Sequence, residues 1–217
     1  MADAHSKGLF ISFEGIDGSG KSTQARRLVD LLRDEGFDPL LTREPGGSAG
    51  AEEIRRLLVK GAPARWSAHT EILLFTAARR DHLERTIAPA LEAGRIVISD
   101  RFADSTRVYQ GATRGDLRDV VDSLHAQMIA IEPDLTFVID MAPETALARG
   151  LARGSGEDRF EHMGLGFQHR LRAGFRALAA TAPERVHILD GDRPLSAVAQ
   201  DVADRVLSHL TRTSRDG

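Results

Sequence analysis

The densest chemistry in the chain lies at the end of its first apolar run. Gly15-Ile16-Asp17-Gly18-Ser19-Gly20-Lys21-Ser22 fits the spacing G-x-x-x-x-G-K-[ST], follows the β-rich run Leu9–Phe13 and opens a helical pattern near Lys21. A phosphate-binding loop needs that context of strand, turn and helix. The glycines let the backbone wrap a polyphosphate closely enough for several N–H donors to converge on it. The dipole of the following helix adds to the attraction. Lys21 offers a point charge to β- and γ-phosphates, and Ser22 offers a hydroxyl to Mg²⁺. The stretch from Gly15 to Thr23 is therefore the candidate site for a nucleoside triphosphate. The guanine-reading N-K-x-D of GTPases is excluded, because the chain contains no asparagine. Protein-kinase H-R-D and D-F-G signatures are absent as well.

Two further clusters could face that loop. Asp100-Arg101 follows the apolar run Ile96–Ser99, and Arg43-Glu44-Pro45 follows Pro39–Thr42. Asp100 could hold Mg²⁺ through water, while Arg101 and Arg43 could grip an anion with a bidentate fork. Phe75 and Arg79 stand four residues apart, on one face of a helix, as a flat ring beside a donor. These signals carry a discount: the cations are 26 arginines and only 3 lysines, so an isolated arginine says little. Solvated strand caps at 43 and 101, and a core Phe beside a surface Arg, remain open readings.

The elements that must position these residues are legible as alternation. The apolar runs Leu9–Phe13, Pro39–Thr42, Ile96–Ser99, Leu135–Ile139 and Val186–Leu189 suit parallel strands buried on both faces. Between them the patterns predict helices near 21–35, 50–60, 68–93, 116–131, 143–153, 162–181 and 195–210, with Gly36 and Gly94 as terminating residues. This is the pattern of an α/β fold with a doubly wound, five-stranded parallel sheet. Ligands then bind beyond the C-terminal strand ends, where the candidate residues lie. One domain over 8–210 is expected, with residues 1–6 and 212–217 as frayed tails. A mobile lid is expected at about 149–161, in the Gly-rich, charged stretch GLARGSGEDRFE. Around it lie Arg149, Arg153, Arg159, Arg170, Arg172 and Arg176, a charge suited to closing on phosphate or to a solvated helix face.

Composition narrows the classes. The formal charge is −3, which does not suit a nucleic-acid polymer as partner. Zero cysteines exclude disulfides and thiol chemistry. No apolar stretch approaches membrane-spanning length, and the first residues lack a signal-peptide pattern, so a cytoplasmic protein is expected.

In order and spacing, FEGIDGSGKST, LTREPGG, TEILLFTAAR, SDRFADSTRVYQG and ARGLARGSGEDRFE closely resemble bacterial thymidylate kinase, from about residue 8 to 210. The P-loop is shared with many kinases; the TREPGG and DR-x4-T-x2-YQG blocks are far more specific. The resemblance implies a nucleoside-monophosphate-kinase fold, a homodimer, and transfer of the ATP γ-phosphate to dTMP with Mg²⁺, giving dTDP and ADP towards dTTP. It implies that Phe75 stacks on thymine, Arg79 donates to its exocyclic oxygen, Thr106 and Gln110 face the base, and Tyr109 crowds the 2′ position. Arg43 and Arg101 would hold the acceptor phosphate beside Pro45, with a cis peptide at Glu44–Pro45, and Asp17 would sit near the 3′-hydroxyl. Lys21, Asp100 and Arg101 would serve catalysis. Gly18 stands where some members carry a basic residue, so the catalytic arginine is expected in the lid, Arg153 first and Arg149 second. Phe102 and Arg107 depart from the usual residues of the family. A different monophosphate or hydroxyl acceptor, and a nucleotide-binding module without catalysis, are the competing readings. A homodimer would use an apolar stripe such as Leu73, Leu83, Val120, Leu124 and Met128.

Overall fold

The computed structural model describes residues 8–62, 64–112, 115–153 and 163–216 of the chain. Five strands, β1 (Phe10–Glu14), β2 (Pro39–Arg43), β3 (Ile96–Asp100), β4 (Leu135–Asp140) and β5 (Val186–Asp190), form one sheet ordered β2-β3-β1-β4-β5. Every pairing is parallel. The central strands β1 and β4 are buried throughout, while the edges β2 and β5 expose alternate residues. That is why the inner runs read as continuously apolar.

Helices cover both faces. Ile11, Phe13 and Ile98 pack on Leu28 and Leu32 of α1 (Lys21–Asp34) and on Val198, Val202 and Val206 of α9 (Leu195–Asp216). From the opposite face Phe10 and Val97 meet Leu83, Ile87 and Phe102, while Val138 meets Phe167, Leu171 and Phe175 of α8 (Leu165–Thr181). The remaining helices are α2 (Ala49–Val59), α3 (Ala68–His82), α4 (Ala88–Glu92), α5 (Ala103–Thr106), α6 (Arg118–Met128) and α7 (Pro143–Arg153). The expected five-stranded, doubly wound fold is the one found. No helix among the described residues is long and apolar enough to cross a membrane.

The winding determines where a ligand can sit. The chain leaves β1 for the β2 edge, but leaves β3 for β4 on the other side of β1. The strand order reverses between β1 and β3, and a crevice opens at their C-terminal ends. In register, Arg43 pairs with Asp100 and Asp100 with Phe13, so the loops after β2, β3 and β1 emerge side by side.

Four expectations need correction. The helix expected over 68–93 is interrupted by a π turn, Leu83–Ile87, in which the Ala88 N–H donates to the Leu83 carbonyl. Pro89 follows at once; it has no N–H to give, and the wider turn accommodates its ring. Leu83, offered as an interface residue, is buried in the core. An unexpected helical segment, α5 continued by a π turn over Arg107–Ala112, stands where the sequence showed no helical period. The buried Glu14 carboxylate holds its start, accepting the N–H of Phe102 at 2.8 Å and the Ser105 hydroxyl at 2.5 Å. Finally, α9 continues to Asp216 through 212–216, expected as a frayed tail; no Gly or Pro interrupts it before Gly217. Residues 1–6 and the lid stretch 154–161 lie outside the described residues.

Candidate active site

The P-loop owes its shape to glycine. Gly15, Gly18 and Gly20 have φ of 130°, 84° and 103°, which side chains rarely adopt. A Cβ on Gly18 would stand 1.9 Å from the Ala146 carbonyl oxygen of α7, so only glycine lets the loop lie against that helix. Ile16 is buried in the core, and Ser19 is buried within the turn. The Lys21 ammonium curls back to the Ile16 carbonyl at 2.8 Å. Burial, then Arg101, pushes its pKa down to about 8, with Asp17 and Asp100 acting in opposition. The Ser22 hydroxyl donates to the Asp100 carboxylate. These two hard oxygen donors at the head of the loop are of the type that suits a Mg²⁺ ion.

Next to the loop, β3 is followed by a strained residue. Arg101 has φ 74°, an outlier for a bulky side chain and costly unless its surroundings enforce it. They do. Its guanidinium donates to Asp17 at 2.6 Å, Ser105 at 2.8 Å, the Tyr109 oxygen at 3.1 Å and the Gly15 carbonyl at 3.3 Å, and lies 5.0 Å over the Tyr109 ring. Tyr109 in turn donates to Asp17 at 3.0 Å. Burial would raise the Asp17 pKa, but Arg101 and Lys21 outweigh it and hold the carboxyl down at about 2. Burial pushes the Tyr109 phenol far above its ordinary value, so it stays protonated.

Both clusters open into one cavity of about 540 Å³. Asp17, Gly18, Gly20, Lys21, Ser22 and Thr23 line it from the loop. Arg43 and Pro45 line it after β2, and Asp100 and Arg101 after β3. Phe75 of α3, Thr106, Tyr109 and Gln110 of the unexpected helical segment, and Arg149 of α7 line it too. The Glu44–Pro45 bond is cis. Arg43 is held at 3.0 Å by Glu52, both half exposed, and such a surface pair is weak.

Of the predicted residues, Gly15, Ile16 and Ser19 of the loop do not line the cavity, and two others stand apart from it. Arg79 is buried beneath the cavity rather than lining it, its Nε on Glu44 at 2.7 Å and Nη2 on Thr106 at 3.0 Å. Arg153 ends α7, and its side chain lies outside what is described. Of the other arginines near the lid, Arg172 is committed to Asp140 by bonds of 2.7 and 2.8 Å, and Arg176 lies 3.6 Å from the same carboxylate. Arg107 points away from the base-facing residues into an acidic cluster of Asp104, Asp122 and Glu132.

The sequence reading missed Arg26, Arg55, Val59 and Leu195, which also line the cavity, and the buried partners Glu44, Glu71 and His82. Glu44 shares a 3.1 Å contact with His82, whose other ring nitrogen meets Thr42 at 2.7 Å. The available signal was acids placed inside apolar blocks, Glu44 in LTREPGG and Glu71 in TEILLF.

A P-loop, an acidic residue ending the adjacent strand, and a second group of arginines across one cavity define a P-loop phosphotransferase with a phosphorylated acceptor. A family model described as thymidylate kinase matches residues 13–202, and the chain belongs to the thymidylate kinase family. It is 72% identical over 204 residues to the thymidylate kinase of Dinoroseobacter shibae, covering 94% of this chain and 97% of that protein. The thymidylate kinase of Ruegeria pomeroyi is 65% identical, over 95% and 98% of the two chains. Among solved structures, the crystal structure of thymidylate kinase from Ehrlichia chaffeensis superposes with a TM-score of 0.74 at 35% identity, over 92% of this chain and 98% of that one.

Proposed function

We propose that this chain carries out the reaction of its family, moving the γ-phosphate of ATP to dTMP to give dTDP and ADP, with the cavity residues dividing the work. The observation that carries the reading is Arg101, locked by Asp17 and Tyr109 beside Lys21 and the Ser22–Asp100 pair. ATP phosphates would lie in the loop Gly15–Thr23, the dTMP phosphate between Arg43 and Arg101, and the thymine against Phe75, Thr106 and Gln110. The Nη1 edge of Arg79, which makes no hydrogen bond among the described residues, would reach the exocyclic oxygen through the floor. Asp17 would take the 3′-hydroxyl side of the sugar, and Tyr109 would fill the 2′ position.

The attacking atom is a phosphate oxygen that is already anionic near neutral pH, so no general base is required. Catalysis then comes from alignment and from neutralising charge in the transition state. Lys21 and Arg101 stand on either side of the transferred group, and Arg149 and Arg153, four residues apart on α7, are the proposed further cations. Ser22 and Asp100 would hold Mg²⁺, which would supply positive charge against the charge developing on the phosphates. We further propose a cytoplasmic homodimer, supported by family membership. Leu73, Val120 and Met128 of α3 and α6 are exposed apolar residues that could meet a second copy, and Leu124 is partly covered.

Turnover with dTMP, dUMP, dCMP, AMP and GMP tests the assignment: dTMP should be preferred, and a purine preference would refute the base pocket. In the same assay Arg153→Ala and Arg149→Ala should each lower kcat by about tenfold to a hundredfold; unchanged kcat in both would remove α7 from the mechanism. Light scattering at the mass of one chain, 23.6 kDa, would overturn the dimer.

A further inference from the structure

Gln110 lines the cavity, and its side-chain amide nitrogen donates to Glu71 at 3.1 Å. Both residues are buried, Glu71 completely. A carboxylate has oxygens that accept and nothing to donate. An amide turned the other way would press its carbonyl oxygen against that carboxylate, two acceptors face to face in a site sealed from water. Glu71 therefore determines which end of the Gln110 amide faces it. Both N–H donors of the amide sit on the nitrogen turned to Glu71, so the end left for a bound base is the acceptor Oε1, which makes no hydrogen bond among the described residues. Arg79, with Nε and Nη2 committed to Glu44 and Thr106, can offer only a donor.

We propose that Glu71 is a positioning residue for base selection: by fixing Gln110 as an acceptor, it selects pyrimidines that carry an N3–H and a 4-carbonyl oxygen and rejects cytosine. Thymine and uracil present a donor at N3 and an acceptor at position 4. Cytosine reverses both, with a bare N3 lone pair and a 4-amino group. Cytosine N3 would then meet Oε1, acceptor against acceptor, and its amino group would meet the Arg79 guanidinium, donor against donor. A site that leaves buried polar groups unmatched rejects a substrate more strongly than one that merely loses a contact. Uracil carries the same edge as thymine, so Glu71 contributes nothing to discrimination by the 5-methyl group.

The inference rests on the proposed placement of the base at Gln110, and the experiment separates the two. kcat/KM for dTMP, dUMP and dCMP is measured at saturating ATP in the parent chain and in Glu71→Gln, Glu71→Asp and Gln110→Ala. Glu71→Gln supplies an amide that can face Gln110 either way. It should lower the dTMP-to-dCMP ratio by about tenfold or more, chiefly through KM for dCMP, with the dTMP-to-dUMP ratio and the KM for ATP unchanged. Glu71→Asp, which keeps an acceptor-only group, should retain the parental selectivity. Ratios of kcat/KM do not depend on the active fraction, so a destabilised variant still reports. Equal loss on all three acceptors in Glu71→Gln, with selectivity intact, overturns the proposal. A ratio that shifts in Gln110→Ala but not in Glu71→Gln overturns the role of Glu71 alone, whereas a ratio unmoved in Gln110→Ala overturns the placement of the base itself.

Discussion

The helical segment 103–112 carries arginine chemistry on two faces, and the two behave differently. On one face Tyr109 and Ser105 hold Arg101 at the edge of the cavity. The cavity is lined by Lys21, Arg26, Arg43, Arg55, Arg101 and Arg149, against the carboxylates of Asp17, Glu44 and Asp100. On the other face Arg107 reaches Asp104 at 2.8 Å, Asp122 at 2.8 Å and Glu132 through two nitrogens. Arg185 adds a fork onto Asp104 at 2.7 and 3.1 Å, and Arg118 closes on Asp122 at 2.6 Å. The second face is a saturated cluster in which every arginine named has a carboxylate. The first also holds pairs, Arg101 with Asp17 and Arg43 with Glu52, but it lines open space with six cations against three carboxylates. Arginine count alone does not separate the two. What separates them is whether the local positive charge has been matched by the protein itself or left for an anion to match.

The strongest test of that contrast is removal of one cation from each side. Lys21→Ala should lower kcat by about a thousandfold or more without lowering thermal stability, since burying the ammonium already costs stability. Near-normal turnover would remove the P-loop from the mechanism. Arg107→Met should do the reverse. Breaking a buried ion cluster costs about 3 kcal/mol, visible as a lower urea midpoint, while kcat at a temperature where the chain is folded stays within a few-fold. A large kcat loss with unchanged stability would show that the cluster is no mere anchor.

The smallest expected effect is a pH dependence that sharpens the same distinction. Lys21 titrates at about 8 in the folded chain against an ordinary 10.5. The ammonium is present below that value and lost above it, so calorimetric affinity for ATP should fall about tenfold between pH 7 and pH 9. For folding the sign is opposite: the penalty of burying the charge is in full force below about 8 and fades as pH rises towards 10.5. Affinity and stability should therefore move in opposite directions over that range. A flat ATP affinity would mean that Lys21 does not titrate there.

Much of this architecture is written locally. The P-loop is contiguous, its glycines are demanded by positive φ, and its lysine stood out against the many arginines. The five apolar runs reappear as strands one residue displaced or longer, because burial on both faces leaves the same mark wherever it occurs. The segment 103–112 was not legible as a helix, for its start is held by Glu14, 88 and 91 residues away in the chain. Nor could spacing reveal that Arg79 would be drawn below the cavity floor, since the acid responsible, Glu44, lies 35 residues earlier. Arg107 looked like a departure beside the base pocket; in three dimensions it faces the other way.

The sequence by itself thus determined the sheet, the phosphate loop and the identity of the residues that meet it, because those depend on short-range geometry and on side-chain chemistry. Only the tertiary structure decided which arginines sink into a saturated carboxylate cluster and which line the cavity, and which way an amide such as Gln110 must point. Those outcomes depend on partners from distant strands and helices meeting at hydrogen-bond distance in a buried place, where an unmatched polar atom is costly.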